Sequence, residues 1–390
     1  MPWDVAIAGL GIAGSALAID LGRRGYSVVV FERNRFPREK PCGEGLMPVG
    51  VAILEEMGID TRRLGAEFRG IRYYFDGRVA EGRFPASDTA GVTGRGIRRR
   101  DLDATLAQLA AQTDGVTLHT GVRVSAPLVE HGRMTGLLVE DQPVRARLVV
   151  AADGAQSRMR HALGLDRETR RKRIGMRMHF RLGAGAAQQA YVEVFLGRGH
   201  ELYVTPLPGG EFLVAALVEA GALRGRVKED FQRWWEAQPE LRDRIRSAEP
   251  VSELRVTSPL SGRAQRRVLP GFVLLGDAAG FTDPLTGGGM TQALQTARML
   301  ASHLAAAREW SEAALEAYDR ERETVLRDYR RVTAGMLWLA RHPRLIAPAL
   351  RLMQCTPLLF SHLLGVSSGM RRLFGRGPRA EIPHAAARAI

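Results

Sequence analysis

The stretch Val5-Ala6-Ile7-Ala8-Gly9-Leu10-Gly11-Ile12-Ala13-Gly14 joins a short apolar strand to a turn that contains three closely spaced glycines. A segment with helical spacing follows, and a second apolar strand, Val28 to Phe31, ends in Glu32. This order predicts a βαβ unit with Gly9, Gly11 and Gly14 in its first turn and an acidic residue about 20 residues further on. Such a unit holds the pyrophosphate of a dinucleotide at the helix N-terminus and a ribose hydroxyl on the carboxylate.

Glu32 also restricts the nucleotide. Its carboxylate would repel a 2′-phosphate, so an unphosphorylated ribose is expected at this position. Arg33, the next residue, is predicted to contact the cofactor as well.

A second glycine-rich stretch, Gly276-Asp277-Ala278-Ala279-Gly280-Phe281-Thr282-Asp283-Pro284-Leu285-Thr286-Gly287-Gly288-Gly289-Met290-Thr291, lies far downstream. The apolar run Phe272 to Leu275 predicts a buried strand, and Asp277 follows it where a carboxylate can bind a sugar or ribityl hydroxyl. The glycine triplet opens a helix, so backbone N–H groups can approach a flat or anionic ligand. The stretch therefore predicts a flavin site with contacts from Gly276, Asp277, Pro284, Gly287, Gly288, Gly289 and Met290.

A third strand end lies between these two stretches. The apolar run Leu148 to Ala152 is followed by Asp153 and Gly154. Alone, an Asp-Gly pair after a strand is typical of a turn. Because three strand ends carry glycine and an acidic residue in this order, Asp153 and Gly154 are predicted to lie beside the same cofactor.

These motifs resemble those of flavoproteins of the para-hydroxybenzoate hydroxylase type, whose fold is shared by squalene epoxidases, geranylgeranyl reductases and flavin-dependent halogenases. The resemblance extends from Val5 to about Ala307. It implies an α/β fold with a Rossmann-like FAD-binding domain, an antiparallel β-sheet substrate domain and a C-terminal helical region. It also implies FAD as cofactor, NAD(P)H as reductant, and Arg99 as a residue that faces FAD. A solvated basic cluster is the other explanation for Arg99.

The chain is long enough for about two domains. Residues 1–170 and 265–310 are predicted to form the FAD-binding domain, with an insertion near 70–90 that joins the substrate domain. Residues 172–263 are predicted to form the substrate-binding sheet, and residues 311–390 the C-terminal helical region.

Composition narrows the partners and the location. The 56 Lys and Arg against 42 Asp and Glu give a net charge of +14, but no nucleic-acid recognition module is visible, so a nucleic-acid partner is not expected. The two cysteines, Cys42 and Cys355, are too few for a disulfide framework and favour a cytoplasmic protein. Apolar runs are shorter than the ~18 residues of a membrane span, and no metal-ligand spacing is present, so we expect neither a span nor a metal site.

Cys42, His179 and Tyr203 are candidates for a catalytic role. Arg177, His179 and Arg181 alternate along one face of a predicted strand, where they could orient a substrate or a cofactor phosphate, although a row facing solvent is the more common arrangement. His179 and Tyr203 are candidate general bases. Cys42, in a loop predicted to turn toward the flavin, has a role near the substrate or is a small buried thiol.

The branch of the family decides the reaction. The run from Pro284 to Thr291 resembles squalene epoxidases, whereas geranylgeranyl reductases usually carry an acidic residue where Gly288 stands. Their Tyr-x-Trp-x-Phe-Pro motif is reduced here to Tyr203-Val204-Thr205-Pro206-Leu207-Pro208, yet Cys42-Gly43 resembles their cysteine loop. The halogenases' Trp-x-Trp-x-Ile-Pro signature is missing.

The resemblance implies an FAD-dependent monooxygenase that uses NAD(P)H and O₂ to hydroxylate or epoxidise an apolar substrate, such as a polyene, an isoprenoid or a lipidic phenol. The alternative is an FAD-dependent reductase of prenyl double bonds. A halogenase and a non-catalytic protein that binds flavin and lipid are less favoured.

The tail from Met336 to Phe374 combines Leu, Met and Phe with arginines, and Pro343, Pro348 and Pro357 are expected to divide it into short helices. Such helices suit a bilayer surface or an apolar channel, which would make the protein membrane-associated. Helices that cap the protein's own core explain the same pattern. Residues 375–390 are expected to be frayed.

Overall fold

The computed structural model describes residues 2–85, 93–167, 173–183, 189–258, 260, 262–281 and 283–374. The frayed tail predicted for residues 375–390 lies outside these residues, as do Thr282 and the end of the insertion near 70–90. The described strands are β1 (Trp3–Ala8), β2 (Val28–Glu32), β3 (Gly45–Leu46), β4 (Ala66–Phe68), β5 (Gly70–Phe75), β6 (Arg78–Arg83), β7 (Gly94–Gly96), β8 (Val116–Thr120), β9 (Val124–Glu130), β10 (Arg133–Val139), β11 (Gln142–Ala151), β12 (Arg173–Leu182), β13 (Val192–Leu196), β14 (His200–Pro206), β15 (Glu211–Glu219), β16 (Ala248–Pro250), β17 (Arg255–Thr257), β18 (Val268–Leu269) and β19 (Phe272–Leu274). The described α-helices are α1 (Ile12–Gly22), α2 (Pro48–Glu56), α3 (Thr61–Leu64), α4 (Arg99–Ala111), α5 (Arg158–Ala162), α6 (Val227–Glu236), α7 (Pro239–Arg246), α8 (Gly289–Ala306), α9 (Glu312–Ala340), α10 (Pro343–Cys355) and α11 (Pro357–Ser367).

The first sheet has the strand order β18-β19-β11-β1-β2-β8, with the β9–β10 hairpin attached to β11. Strands β19, β11, β1, β2 and β8 are parallel, which agrees with their continuous apolar sequences, since parallel strands are covered on both faces. Ala8 of β1 pairs with Ala151 of β11, and Ala151 pairs with Leu274 of β19. The three predicted strand ends therefore stop at the same edge of the sheet.

The second sheet has the order β16-β12-β15-β14-β13-β5-β6, with β17 also on β12. The β5–β6 hairpin comes from the insertion near 70–90. The sheet was expected to be antiparallel, but β13 pairs with β5 in parallel, with Val192 opposite Ile71. The expectation fails there because β5 belongs to a distant segment, so no short hairpin connection forces the two strands to run in opposite directions.

Helices α8, α9, α10 and α11 complete the fold. α9 is 29 residues long and contains Met336, so the predicted series of short helices begins only after it. Pro343 and Pro357 occupy the first positions of α10 and α11, where the missing N–H is tolerated. Pro348 lies inside α10 and does not end it, contrary to the expectation. No helix in the described ranges has the length and apolar character needed to cross a bilayer.

Candidate functional site

The first turn of the βαβ unit is shaped by close backbone contacts. Gly9 has a φ of +104°, and a Cβ there would lie 2.6 Å from the carbonyl oxygen of Ala152. A Cβ at Gly14 would lie 2.0 Å from the carbonyl oxygen of Gly9. Both positions require glycine because α1 packs directly on the turn and on the neighbouring strand end. At Gly11 a Cβ would meet only the ends of Arg38 and Lys40, each at 3.8 Å, so its backbone faces open space.

A cavity of about 190 Å³ lies between the strand ends of the first sheet and one face of the second sheet. We call it the main cavity because it is lined by more of the predicted site residues than the second cavity described below. The predicted site residues that line it are Gly11, Cys42, Arg99, Gly154, Tyr203, Asp277, Pro284, Gly287, Gly289 and Met290. Residues that are far apart in the sequence thus meet around one space.

A second cavity of about 210 Å³ adjoins the end of β2. The predicted residues that line it are Gly9, Glu32, Arg33 and Asp153. The Glu32 carboxylate is held there by the backbone N–H of Leu10 at 3.1 Å and by the backbone N–H of Asn34 at 2.9 Å. The carboxylate therefore stands where the sequence motif requires an acceptor for a ribose hydroxyl.

Four predicted residues line neither cavity: Gly14, Gly276, Gly288 and His179. A Cβ at Gly276 would lie 2.9 Å from the Cβ of Ala13, and one at Gly288 would lie 2.9 Å from Nε2 of Gln292. These glycines, like Gly14, allow close packing at the site.

The residues around the cavities fit FAD. Gly11, Gly154 and Gly289 present bare backbone to the main cavity, and a Cβ at Gly289 would have no neighbour within 4 Å. α1 and α8 both begin at this cavity, so two sets of unpaired helix N–H groups are available to a pyrophosphate or to an electron-rich ring. The buried Oδ1 atom of Asp153 has no hydrogen-bond partner among the described residues, which leaves an acceptor for a ligand.

Lys40 is a site residue that the sequence interpretation missed. Its Nζ lies 3.8 Å from the positions that Cβ atoms on Gly11 and Gly154 would occupy, so the ammonium group faces two bare backbone segments of the main cavity. Burial, assisted by the nearby Arg99 guanidinium, lowers the pKa of Lys40. A cation in this position is suited to a phosphate, and its place in a glycine-containing loop after β2 was the available signal.

Arg99 is buried and lines the main cavity, so the alternative of a solvated basic cluster is wrong for this residue. Its Nε and Nη2 donate to Oδ1 and Oδ2 of Asp103 at 3.0 and 2.9 Å. Burial opposes the charge of Arg99, but Asp103 and the Cys42 side chain raise the pKa of the guanidinium. Arg99 therefore keeps a positive charge beside the Cys42 thiol.

The row on β12 is buried where a solvent-facing row was the more common expectation. Arg177 and His179 are 2% and 1% exposed, and only Arg181, with a side chain 48% exposed, reaches solvent. The expectation is wrong for the first two because the segment around Glu39 and Glu44 covers this part of the strand.

His179 is fully engaged in this covered cluster. Its Nε2 lies 2.8 Å from Oε2 of Glu44, and its Nδ1 lies 3.0 Å from Oγ of Ser252. Glu44 also accepts the backbone N–H of Arg99 at 3.1 Å and lies 3.5 Å from Arg177 Nη1. The cluster therefore fixes the Cys42 loop to β12, and His179 contacts Glu44 and does not line the main cavity.

Tyr203 lines the main cavity, and its buried hydroxyl has no hydrogen-bond partner among the described residues. Burial raises the pKa of Tyr203 well above its ordinary value. The cavity wall around it is mainly apolar, with Met47, Phe68, Ile71, Val192, Val194, Ala215, Leu217, Leu260 and Leu285. This side of the cavity thus combines an apolar surface with a free hydroxyl.

Arg173 ties this part of the second sheet to the second glycine-rich stretch. Its Nη1 donates to both carboxylate oxygens of Asp283, at 3.0 and 3.1 Å, and its Nη2 donates to Glu201. Burial raises the pKa of Glu201 to about 7, although the Arg173 charge works in the opposite direction.

Comparison with known proteins identifies the cofactor class. A family model described as an FAD binding domain matches residues 2–333. A menaquinone reductase of Mycolicibacterium smegmatis is 29% identical over 321 residues, which covers 76% of this chain and 75% of the relative. A digeranylgeranylglycerophospholipid reductase of Methanosarcina mazei is 26% identical over 314 residues, which covers 76% of this chain and 74% of the relative.

Structural comparison gives the same fold. A flavoprotein/dehydrogenase from Cytophaga hutchinsonii superposes with a TM-score of 0.81 at 21% identity, covering 94% of this chain and 92% of that chain. The α/β fold and the resemblance to flavoproteins of the para-hydroxybenzoate hydroxylase type are thereby confirmed. The chain belongs to the FAD binding domain family and is an FAD-dependent oxidoreductase.

Proposed function

We propose that this protein is an FAD-dependent reductase that saturates a double bond in the isoprenoid chain of a lipid or quinone. The observation that carries the proposal is the apolar wall of the main cavity, which runs from the glycine-rich turns to the second sheet. An isoprenoid chain has no polar groups to satisfy along its length, so such a wall suits it. The names of the relatives, a menaquinone reductase and a digeranylgeranylglycerophospholipid reductase, denote substrates with isoprenoid chains.

The relatives favour the alternative of the sequence analysis over its main prediction. Two sequence features disfavour prenyl reduction, namely Gly288 and the altered motif at Tyr203 to Pro208. They are local differences in a chain that matches the reductases over three quarters of its length. Oxygen insertion therefore becomes the competing outcome of the experiment below.

The cofactor would be held by the two helix N-termini at Gly11 and Gly289, with Lys40 beside the pyrophosphate and Glu32 at the ribose. When bound, FAD supplies the electron pair for the double bond as a hydride, and we propose NAD(P)H as the source of these electrons. The chain's own residues supply position, a dry environment and a proton.

Saturation of a carbon–carbon double bond needs one proton besides the hydride. Several side chains that carry a proton line the cavity, among them Lys40, Cys42 and Tyr203. Lys40 is assigned to the pyrophosphate, which leaves Cys42 and Tyr203 as the candidate donors. The raised pKa of Tyr203 makes its phenol a poor acid, so we assign the proton to the Cys42 thiol. The neighbouring Arg99 charge stabilises the thiolate that remains after transfer.

Tyr203 then has a positioning role. Its free hydroxyl can donate a hydrogen bond to an oxygen of the substrate head group, while the apolar wall holds the chain. Glu44 keeps the sulfur in place, since its backbone N–H donates to the Cys42 Sγ at 3.4 Å and its carboxylate is anchored on β12. Exclusion of water by the apolar wall keeps the thiol's proton from exchanging with bulk solvent during reaction.

The experiment uses the FAD-loaded protein, reduced with NADPH or dithionite without oxygen, and two probes: a geranylgeranylated glycerophospholipid and a menaquinone. Mass spectrometry should find products with two added hydrogen atoms per reduced double bond. A product with one added oxygen atom in air, together with no saturated product without oxygen, would contradict the proposal and support a monooxygenase.

The same assay tests the proton donor. Cys42→Ala should lower the single-turnover rate about 100-fold, the usual contribution of a positioned acid, while the FAD content stays unchanged. A Cys42→Ala rate equal to that of the unaltered protein would remove the thiol from the mechanism.

A further inference from the structure

Exposed apolar side chains are concentrated on the C-terminal helices. Of the nine large apolar side chains that are exposed in the described part of the chain, six belong to one segment of 37 residues. These six are Trp338, Leu345, Leu352, Leu358, Leu359 and Phe374, and we name them the tail surface. Leu358 is 86% exposed and Leu352 is 55% exposed. Concentrated exposure of large apolar side chains is a mark of an interaction site.

α10 is apolar on two faces. Ile346 and Leu350 point inward and are buried in the core beside the second sheet. Leu345 and Leu352 lie on the same helix and are exposed. A helix that only caps its own protein has a polar outer face. Core packing explains the inner row and leaves the outer row without a partner in the part of the chain that the structure describes.

The tail surface extends onto the edge of the second sheet. Val79 of β6 is 37% exposed, and its carbonyl oxygen accepts a hydrogen bond from Nε2 of Gln354 at 2.6 Å. The strand edge and the C-terminal end of α10 are thus held next to each other.

The charges in this segment all have one sign. From Leu337 to Phe374 the sequence contains no Asp or Glu and five arginines, Arg341, Arg344, Arg351, Arg371 and Arg372. Arg344 and Arg351 are exposed between the apolar residues of α10. Apolar side chains interspersed with arginine complement the headgroup region of an anionic bilayer, where the guanidinium groups meet phosphates and the apolar groups enter the acyl boundary.

The inner side of these helices continues the wall of the main cavity. Ile71 lines the cavity, and Tyr73, two residues along β5 and on the same face of the sheet, contacts Phe360 of α11 with ring centroids 5.8 Å apart. Ile71, Tyr73, Ile346 and Phe360 belong to one apolar cluster. The inner side of the tail helices and one wall of the main cavity are therefore parts of one packed apolar cluster.

We propose that the tail surface docks on an anionic lipid bilayer and that a prenyl lipid enters the main cavity from the bilayer past α10 and α11. The identity of the entering lipid rests on the proposed function, whereas the docking itself does not.

The test is flotation of the purified FAD-loaded protein with vesicles of phosphatidylglycerol and phosphatidylcholine, compared with vesicles of phosphatidylcholine alone. The unaltered protein should float with the anionic vesicles and much less with the neutral ones. The double variant Leu352→Glu with Leu358→Glu should bind at least about tenfold more weakly, since two exposed leucines no longer enter the acyl boundary. Val129→Glu is the control, because Val129 is 50% exposed on β9 of the first sheet, and it should float like the unaltered protein.

Three results would overturn the proposal. In the first, the unaltered protein stays in the soluble fraction when mixed with anionic vesicles. In the second, the double variant floats as well as the unaltered protein, and in the third, Val129→Glu weakens flotation as much as the double variant does. A further overturning result is a dimer in light scattering that the double variant dissociates while neither form floats, because a second copy would then cover the tail surface.

A separate measurement distinguishes this proposal from the proposed function. With a prenyl substrate dispersed in detergent, the double variant should reduce double bonds at the rate of the unaltered protein. If the proposed function fails, neither protein turns over, yet the difference in flotation remains.

Discussion

The two sides of the main cavity are built in different ways. On the cofactor side, the surface is bare backbone, with Gly11 and Gly289 facing open space and Gly14 allowing α1 to close on the turn. On the substrate side, the surface depends on buried side chains that meet from distant segments, such as Glu44 with His179. Adding an atom should therefore damage the first side, and removing a charge should damage the second.

The largest effect is expected from Gly14→Ala. The new Cβ would lie 2.0 Å from the Gly9 carbonyl oxygen, so the helix must move away from the turn, at a cost of about 3 kcal/mol in the free energy of unfolding. We expect loss of bound FAD in the absorbance spectrum and a lower thermal midpoint. Gly289→Ala is the control, because its Cβ has no neighbour within 4 Å: the midpoint should hold while FAD binds more weakly. A Gly14→Ala protein that binds a full complement of FAD and unfolds at an unchanged thermal midpoint would contradict the expectation that an added atom damages the cofactor side.

The sequence predicted the cofactor side better than the substrate side, because the first is built from local glycine motifs and the second from side chains of distant segments. Glycine spacing and strand ends are local features, and the parallel register of β1, β11 and β19 brings them together at one edge. The alternation of Arg177 and His179 fixed which side chains share a face but not what covers that face. The covering residue, Glu44, is 135 positions from His179 in the sequence, and no periodicity connects the two.

The buried charges offer the second test of the contrast. Glu44→Gln keeps the shape of the side chain but leaves His179 without a carboxylate and Arg177 with Glu39 alone. Breaking a buried pair in this way should lower the free energy of unfolding by about 3 kcal/mol. Denaturant titration measures the change. Glu130→Gln removes a carboxylate from an exposed pair with Arg145 on β11 and should change the stability little. Equal effects of the two variants would mean that the Glu44 cluster does not hold the loop.

The pH dependence of stability should come in part from Glu201. Its pKa in the folded protein is about 7, mainly because of burial, against an ordinary value of 4.5. Below pH 4.5 the Glu201 carboxyl is protonated in both the folded and the unfolded protein, and its full contribution to the free energy of unfolding is present. Between pH 4.5 and 7 Glu201 is ionised in the unfolded chain but still protonated in the folded protein. Up to about 3 kcal/mol of the free energy of unfolding is therefore lost as the pH rises through 7.

Glu201→Gln isolates this contribution. The difference in unfolding free energy between the unaltered protein and the variant should change between pH 4.5 and pH 8, with the unaltered protein losing more. A constant difference over this range would show that Arg173 keeps the Glu201 carboxylate charged throughout, and the substrate side would then contain one more permanent ion pair.

The smallest effect on the fold, and the most informative for the substrate, is expected from Tyr203→Phe. Because the hydroxyl is buried without a partner among the described residues, its removal should leave the thermal midpoint unchanged or slightly higher. If the Tyr203 hydroxyl donates a hydrogen bond to a substrate oxygen, the KM of Tyr203→Phe should be about fivefold higher, the equivalent of about 1 kcal/mol, with kcat nearly constant. A fall in kcat of about 100-fold would instead move the proton donor from Cys42 to Tyr203. An unchanged KM would mean that the head group of the substrate lies elsewhere, and the substrate side would then recognise its ligand by apolar contact alone.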